Sequence, residues 1–303
     1  MSLFPEELRL YYSRLFPYKE IWQFYADEKH REWSVTLSND LFVRDLKFAN
    51  ETELKKYLLL KLPSKIDVGG FTHLRELVFD LDLTDYDDVR KGLCGCQEAC
   101  MCSICWQMMV GGAKVLHEML QMDFGYSQIT WVFSGRRGLH CWVSDPSATA
   151  LSFEARCAII KYLTVDRKYL SHPVFERAYK ILKPIFFKSI WPVLVKRDAK
   201  NQIVEMQEKN ENVEFAKSVI FQYLYPRIDA NVTKQLNHLL KIPFSFHPKT
   251  ARLCLPISIE RIDEFVPHNV PTLSQLCADL NVTDVMKRKY VRELEAAKLL
   301  LKK

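Results

Sequence analysis

Seven residues, Leu77-Val78-Phe79-Asp80-Leu81-Asp82-Leu83, constrain this chain more than any other stretch, because an apolar strand here carries two aspartates one residue apart. A β-strand alternates its faces with period two, so Asp80 and Asp82 point the same way while the intervening leucine faces apolar surroundings. Adjacent carboxylates repel, and both lose solvation as the strand is buried. A compensating cation such as a divalent metal keeps them ionised. Phosphoryl and nucleotidyl transfer most need that pair, with two metals roughly 3.5–4 Å apart holding the attacking and leaving oxygens. An acidic pair at a loop edge is the alternative, since Asp82 runs into Thr84-Asp85-Tyr86-Asp87-Asp88.

With 303 residues, 48% of them hydrophobic and 12% aromatic, the chain has enough apolar material for a full core, in one domain with an appendage or in two. The net charge of +6 suits a polyanionic partner without demanding one. Met1 is followed by Pro5-Glu6-Glu7 with neither a basic nor an apolar leader region, so no secretory signal is expected. No apolar run is long enough to span a membrane, and a soluble intracellular protein is expected. Its nine cysteines then read as thiols or metal ligands, not disulfides.

Helical spacing covers residues 5–25 and about Glu51–Leu60, and between them Trp33–Leu37 and Leu41–Arg44 read as a hairpin around Ser38-Asn39-Asp40. Strand Glu76–Leu83, a cysteine-rich loop, a helix from Cys105 to about Gln121, and strands Gln128–Phe133 and Leu139–Val143 follow. Strands and helices mix without a strict βαβ repeat, which predicts an α+β catalytic core. From Thr149 to about Tyr225 the pattern is mainly helical, interrupted by Pro173, Pro184 and Pro192 and by the polar run Lys196–Asn212. Short strand-like pieces, Leu253–Ile259 among them, precede an amphipathic helix over Asp284–Lys303.

Three constellations accompany the acidic pair. Cys94, Cys96, Cys100, Cys102 and Cys105 lie within twelve residues, and four thiolates close a tetrahedral zinc site with one cysteine to spare. Inert buried thiols are the alternative, but so dense a polar loop buries poorly. Ser134-Gly135-Arg136-Arg137-Gly138-Leu139-His140 places forked guanidinium donors between glycines and resembles a triphosphate clamp, or else a basic surface turn. Asp229 offers a third carboxylate where Tyr225-Pro226-Arg227-Ile228 ends and a polar helix Asn231–Leu240 begins; alone it reads as a helix-start residue. Lys241 and His247 follow on a proline-constrained loop, and each can bind a phosphate or sugar or lie on the surface.

Taken together, Phe79–Val89, Ser134–Val143 and Asn237–Thr250 closely resemble the small catalytic subunit of the eukaryotic and archaeal type of DNA primase, and the likeness extends from Leu10-Tyr-Tyr-Ser-Arg-Leu-Phe-Pro-Tyr18 to about Cys277. That resemblance implies an α+β, mixed-sheet "prim" catalytic core with a zinc-knuckle loop and an inserted, shortened helical subdomain. The implied divisions are residues 1–148 and 221–282 for the core, with the zinc loop at 94–105, then 149–220 for the helical insert and 283–303 for a C-terminal helix. It implies synthesis of short RNA primers from ribonucleoside triphosphates on a single-stranded DNA template.

By the same resemblance Glu32, Asp80, Asp82 and Asp229 are catalytic, and the three aspartates hold Mg²⁺ or Mn²⁺. Arg44, Asp67, Ser134, Arg136, Arg137, His140, His238, Lys241 and His247 bind the nucleotide, with Asp67 suited to the ribose hydroxyls. Cys94, Cys96, Cys102 and Cys105 are assigned to Zn²⁺, with Cys100 as alternate, because Gly95 separates cysteines that are often adjacent in the family. The implied partners are the primase large subunit and a polymerase alpha-type replicative complex, in the nucleus, with no membrane. Two rivals stay open from the residues alone: a zinc-bearing nucleic-acid-binding protein, and untemplated nucleotidyl transfer with the same carboxylates.

Overall fold

A computed structural model of the chain describes residues 4–25, 31–37, 40–70, 74–98, 100–164, 170–196 and 213–301. Ser38 and Asn39 of the expected hairpin turn, and all of the polar run after Lys196, lie outside the described residues.

The opening helical pattern is two helices, α1 (Pro5–Arg14) and α2 (Tyr18–Tyr25). The helical pattern over 5–25 is divided in two at Pro17, which has no amide to continue the ladder. Strands β1 (Trp33–Thr36) and β2 (Phe42–Leu46) pair antiparallel, as the alternation predicts. Helix α3 (Glu51–Lys61) starts where the Asn50 side chain accepts from the Glu53 amide, and β3 (Lys65–Val68) then adds to the other side of β1. Strand β7 (Leu240–Lys241) joins from the far end of the chain, giving the order β2-β1-β3-β7.

A second sheet holds the acidic strand. It runs β4-β6-β5-β8, with β4 (Leu77–Asp82), β5 (Ile129–Phe133), β6 (Gly138–Val143) and β8 (Leu255–Ile257). Every pairing among the named strands is antiparallel, so the chain builds two antiparallel sheets instead of the one mixed sheet expected. Short connections join β1 to β2 and β5 to β6, whereas β7 and β8 dock antiparallel from later in the chain.

Between the sheet's first two strands come α4 (Asp87–Cys94), the cysteine loop and α5 (Ser103–Met122), a helix with most of its residues buried. Gly111 and Gly112 weaken α5 intrinsically, but they let other chain segments come close. A Cβ at Gly111 would sit 3.0 Å from Leu182 and 3.3 Å from Leu224, and one at Gly112 would sit 3.3 Å from both the Pro226 Cα and the Tyr86 hydroxyl. The segment leading to Asp229 thus lies directly on α5.

The later region is helical, over Phe153–Leu163, Pro173–Ile185, Trp191–Lys196 and Val213–Leu224. Pro173 opens a helix, but Pro184 and Pro192 do not interrupt theirs as expected. A wide π-helical turn over Phe186–Ile190 follows Pro184, whose missing amide disturbs the ordinary ladder. The helix expected over Asn231–Leu240 covers only Ala230–Lys234, and that over Asp284–Lys303 only Lys289–Lys298. In the first case the chain must extend to pair β7 with β3. In the second, Asp284 caps a separate 3-10 turn at Val285–Lys287. Among the described residues no helix is long and apolar enough to cross a membrane.

Buried arginines tie these parts together. Arg31 forms a forked pair with Glu76, at 2.6 and 3.0 Å. Arg75 donates to the Val232 carbonyl at 2.9 Å, and Arg156 donates to the carbonyls of Arg75 at 2.5 Å and Glu76 at 3.2 Å. Burial, compounded for Arg75 by the Arg156 charge, pulls both guanidiniums down, Arg75 to about 9 and Arg156 to about 10. They remain charged near neutrality, and backbone carbonyls supply the compensation that buried cations require. The start of β4 is thereby locked to the turn that follows Asp229.

Candidate active site

Asp80 lies opposite His140 in the β4–β6 register, and Asp82 opposite Gly138. The Asp229 amide donates to the Asp80 carbonyl at 3.2 Å, so the third aspartate is delivered to the same strand. Burial pushes the Asp80 carboxyl up to about 7, and the charges of Asp82, Asp229 and Asp85 add to the shift, while Lys241 opposes it. For Asp82, burial acts upward too, but the Thr84 amide at 2.8 Å, Arg137 at 2.7 Å and the Thr84 hydroxyl at 2.7 Å outweigh it and hold the carboxyl low. Asp229 also caps its helix, one oxygen accepting from the Asn231 amide at 2.9 Å. Its two readings from sequence are therefore compatible.

The basic hairpin sits against this cluster. Ser134 accepts from the Gly138 amide at 3.0 Å, closing the turn. Gly138 is required by close approach, since a Cβ there would lie 2.5 Å from the Leu81 carbonyl oxygen. The Lys241 ammonium reaches from the other sheet to the Ser134 carbonyl at 2.9 Å, so the site forms where the two sheets meet. His140 is buried, with Nε2 3.9 Å from Asp80. Burial and the Lys241 charge pull its imidazole down to about 3, and burial with Lys241 and Arg136 does the same to His247. Both rings are neutral near pH 7.

Asp67 pairs in register with Lys241 across β3–β7, and one of its carboxylate oxygens lies 2.9 Å from the Lys65 ammonium as an ion pair. His238 is lowered by burial and by the Arg75 charge, while the Asp229 and Asp67 charges pull the other way. Glu32 and Arg44 hold each other at 2.9 Å on the first sheet, separate from the Asp80 hydrogen bonds.

The sulfur atoms of Cys94, Cys96, Cys102 and Cys105 lie within 4.8 Å of one another, and among the described residues this is the one group of three or more Cys, His, Asp or Glu ligand atoms brought so close. The exposed Cys100 sulfur is 3.0 Å from that of Cys96 but is not one of the four. Burial raises the thiols of Cys96 and Cys105, the latter to about 12. Cys102 is held low despite burial because amides at the start of α5 point at it. Arg90, fully buried, shapes the loop by donating to the Cys100 carbonyl at 2.9 Å and to Asp87.

Sequence reasoning missed Arg75, Arg156, Tyr86 and Arg227. The Tyr86 hydroxyl donates to the Tyr225 carbonyl at 2.8 Å and accepts from the Arg227 amide at 3.0 Å, and the Arg227 guanidinium lies over the Tyr86 ring and on Asp88. Only the adjacency of Tyr86 and Arg227 to the two acidic motifs could have signalled this.

A sequence profile of the DNA primase small subunit matches residues 79–259. A DNA primase small subunit of Drosophila melanogaster is 34% identical over 375 aligned positions, spanning 95% of this chain and 84% of that protein. One of Schizosaccharomyces pombe is 34% identical, spanning 91% of this chain and 78% of its own length. A DNA primase small subunit of Pyrobaculum calidifontis is 26% identical, spanning 75% and 70%.

Proposed function

Because the chain belongs to the DNA primase small-subunit family, and is by that membership a DNA primase, we propose that it makes short RNA primers from ribonucleoside triphosphates on a single-stranded DNA template. The observation that carries this reading is the half-buried Asp80 carboxyl, set with Asp82 and Asp229 beside His140, Lys241 and the Arg137 that holds Asp82.

The donor set fits a hard divalent cation. Three carboxylates share one region, and repulsion with burial pushes Asp80 to about 7, so its ionised form requires more positive charge than Arg137 and Lys241 provide. Asp80, Asp82 and Asp229 would hold a pair of Mg²⁺ or Mn²⁺ ions. Bound there, such ions lower the pKa of a ribose 3′-hydroxyl and neutralise charge at the α-phosphate.

The remaining residues orient the triphosphate and meet charge developing on the pyrophosphate. Arg136, Arg137 and Lys241 supply fixed positive charge, and neutral His140 and His247 supply N–H donors that do not add charge. Asp67 would accept from ribose hydroxyls, with Arg44, Glu32, Ser134 and His238 completing the nucleotide's surroundings. Base choice falls to pairing with the template. The four clustered cysteines would hold Zn²⁺ as a structural ion, since a closed sulfur site leaves no open position for chemistry. Assembly with a primase large subunit and an alpha-type replicative polymerase in the nucleus belongs to the same proposal.

Asp80→Ala tests it. With the fold retained by circular dichroism, templated primer synthesis is expected to fall by several orders of magnitude. Synthesis near the wild-type rate would end the proposal, and addition that continues without template would replace it with untemplated transfer.

A further inference from the structure

The two arginines of the hairpin share the clamp but extend to different places. Arg137 reaches Asp82, whereas Arg136 also lines an adjoining cavity of about 280 Å³ together with Met101, Lys249, Thr250, Arg252 and His268. No carboxylate lines this cavity. Among the described residues none of its four basic side chains is in an ion pair, although Arg137, Arg177 and Arg227 elsewhere all are.

The walls are set by hydrogen bonds that do not involve any anion. The Thr250 hydroxyl donates to the Gly135 carbonyl at 2.7 Å and accepts from the Arg252 amide at 3.2 Å, joining this loop to the hairpin. The Arg252 guanidinium is aimed by the Val270 carbonyl at 2.5 Å. His268 Nε2 lies 3.3 Å from the Met101 carbonyl, so the cysteine loop closes the far side. A Cβ at Gly135 would stand 2.9 Å from both the Arg252 carbonyl oxygen and the His247 side chain, so the cavity lies beside the triphosphate clamp. Two guanidiniums, an ammonium and an imidazole held together without a counter-ion form a site for tetrahedral oxyanions.

We propose that this cavity is a second phosphate subsite, beside the clamp and walled by the cysteine loop, which takes a phosphate of departing pyrophosphate or of the nucleic-acid backbone. It rests on the primase reading only for which phosphate arrives there. The cysteine loop then has a consequence beyond stability, because loosening it would open one wall of the subsite.

The combined variant Lys249→Glu/His268→Ala tests this, since both side chains are exposed and neither belongs to the clamp. Inorganic pyrophosphate is titrated into protein already saturated with a non-hydrolysable ribonucleoside triphosphate, and an unphosphorylated single-stranded oligothymidylate is titrated across a salt series. A loss of about tenfold in pyrophosphate affinity assigns the subsite to the leaving group. A comparable loss for the oligonucleotide, with a salt slope shallower by about one, assigns it to the backbone. Both affinities within about twofold of wild type would overturn the proposal. Absence of templated synthesis by the wild-type protein would sink the primase reading alone and leave both titrations interpretable.

Discussion

The backbone amide of Asp229 donates to the backbone carbonyl of Asp80 at 3.2 Å. A main-chain bond, unlike one between carboxyl groups, is indifferent to the charge of either side chain, so the aspartates stay together as their protonation changes. The packing around it is arranged to the same end. Arg75 and Arg156 hold the start of β4 against the 232–235 turn, and Gly112 lets Pro226 lie on α5.

Tyr86→Phe is expected to lower activity without touching a carboxylate. Its hydroxyl serves both the Tyr225 carbonyl and the Arg227 amide, and removing it strands two backbone groups just before Asp229. The cost is about 1–3 kcal/mol of stability, read as a drop of several degrees in unfolding temperature. Primer synthesis should show a kcat reduced about tenfold, roughly 1.4 kcal/mol, with nucleotide affinity by calorimetry nearly unchanged. An unaltered kcat would remove Tyr86 as a positioning residue.

What was legible in the sequence follows from period and chemistry. Alternation located β1 and β2, apolar runs located β4, β5 and β6, and three acidic or basic motifs carried the residues that meet at Asp80. The errors share one cause, which is tertiary demand overriding local pattern. Residues after Lys234 suit a helix, but Lys241 is needed opposite Asp67 in the first sheet, so the chain extends. Arg75 and Arg156 escaped notice because charged side chains default to the surface, and nothing local marks one whose partners are distant carbonyls. Even the antiparallel character of both sheets depends on which distant segments dock, as β8 on β5 and β7 on β3 do.

Gly138→Ala should damage the site through backbone contact alone. Its new methyl would meet the Leu81 carbonyl at 2.5 Å, between the two strand aspartates. Overpacking of this kind costs about 1–3 kcal/mol, and relief requires β4 and β6 to part where Asp82 faces Gly138. Primer synthesis is expected to fall by at least about tenfold. Activity and melting temperature both at wild-type values would show that the hairpin approach is not needed.

The cysteines separate by substitution. Cys100→Ser is expected to retain stoichiometric zinc by plasma mass spectrometry and to unfold within about 2 °C of wild type, because this exposed sulfur lies outside the group of four. Cys105→Ser removes a buried member at the start of α5 and should release the metal and lower the unfolding temperature by several degrees. Loss of metal from the Cys100 variant would mean that the fifth thiol is a ligand.

His247 sets a pH dependence whose sign is fixed by its surroundings. Burial first, then Lys241 and Arg136, pull its imidazole down to about 3 from an ordinary value near 6.5. Between those values the unfolded chain binds the proton and the folded protein refuses it, so stability is lost as pH falls through 6.5 and the loss continues toward 3. The slope from this one group is at most about 1.4 kcal/mol per pH unit, less for a ring that is partly open to water. Asp80, raised to about 7, acts in the opposite sense, since its folded form holds a proton that the unfolded chain releases. A wild-type profile therefore mixes these with His140, likewise pulled down to about 3, and His247→Gln isolates one contribution because Asp80 and His140 are present in both proteins. Denaturant titrations at pH 7 and pH 5 should show the wild type losing about 1–2 kcal/mol more than the variant over that interval. Equal losses would mean that the folded protein takes up the His247 proton as readily as the unfolded chain does, and the clamp would then not be what keeps this ring neutral over that interval.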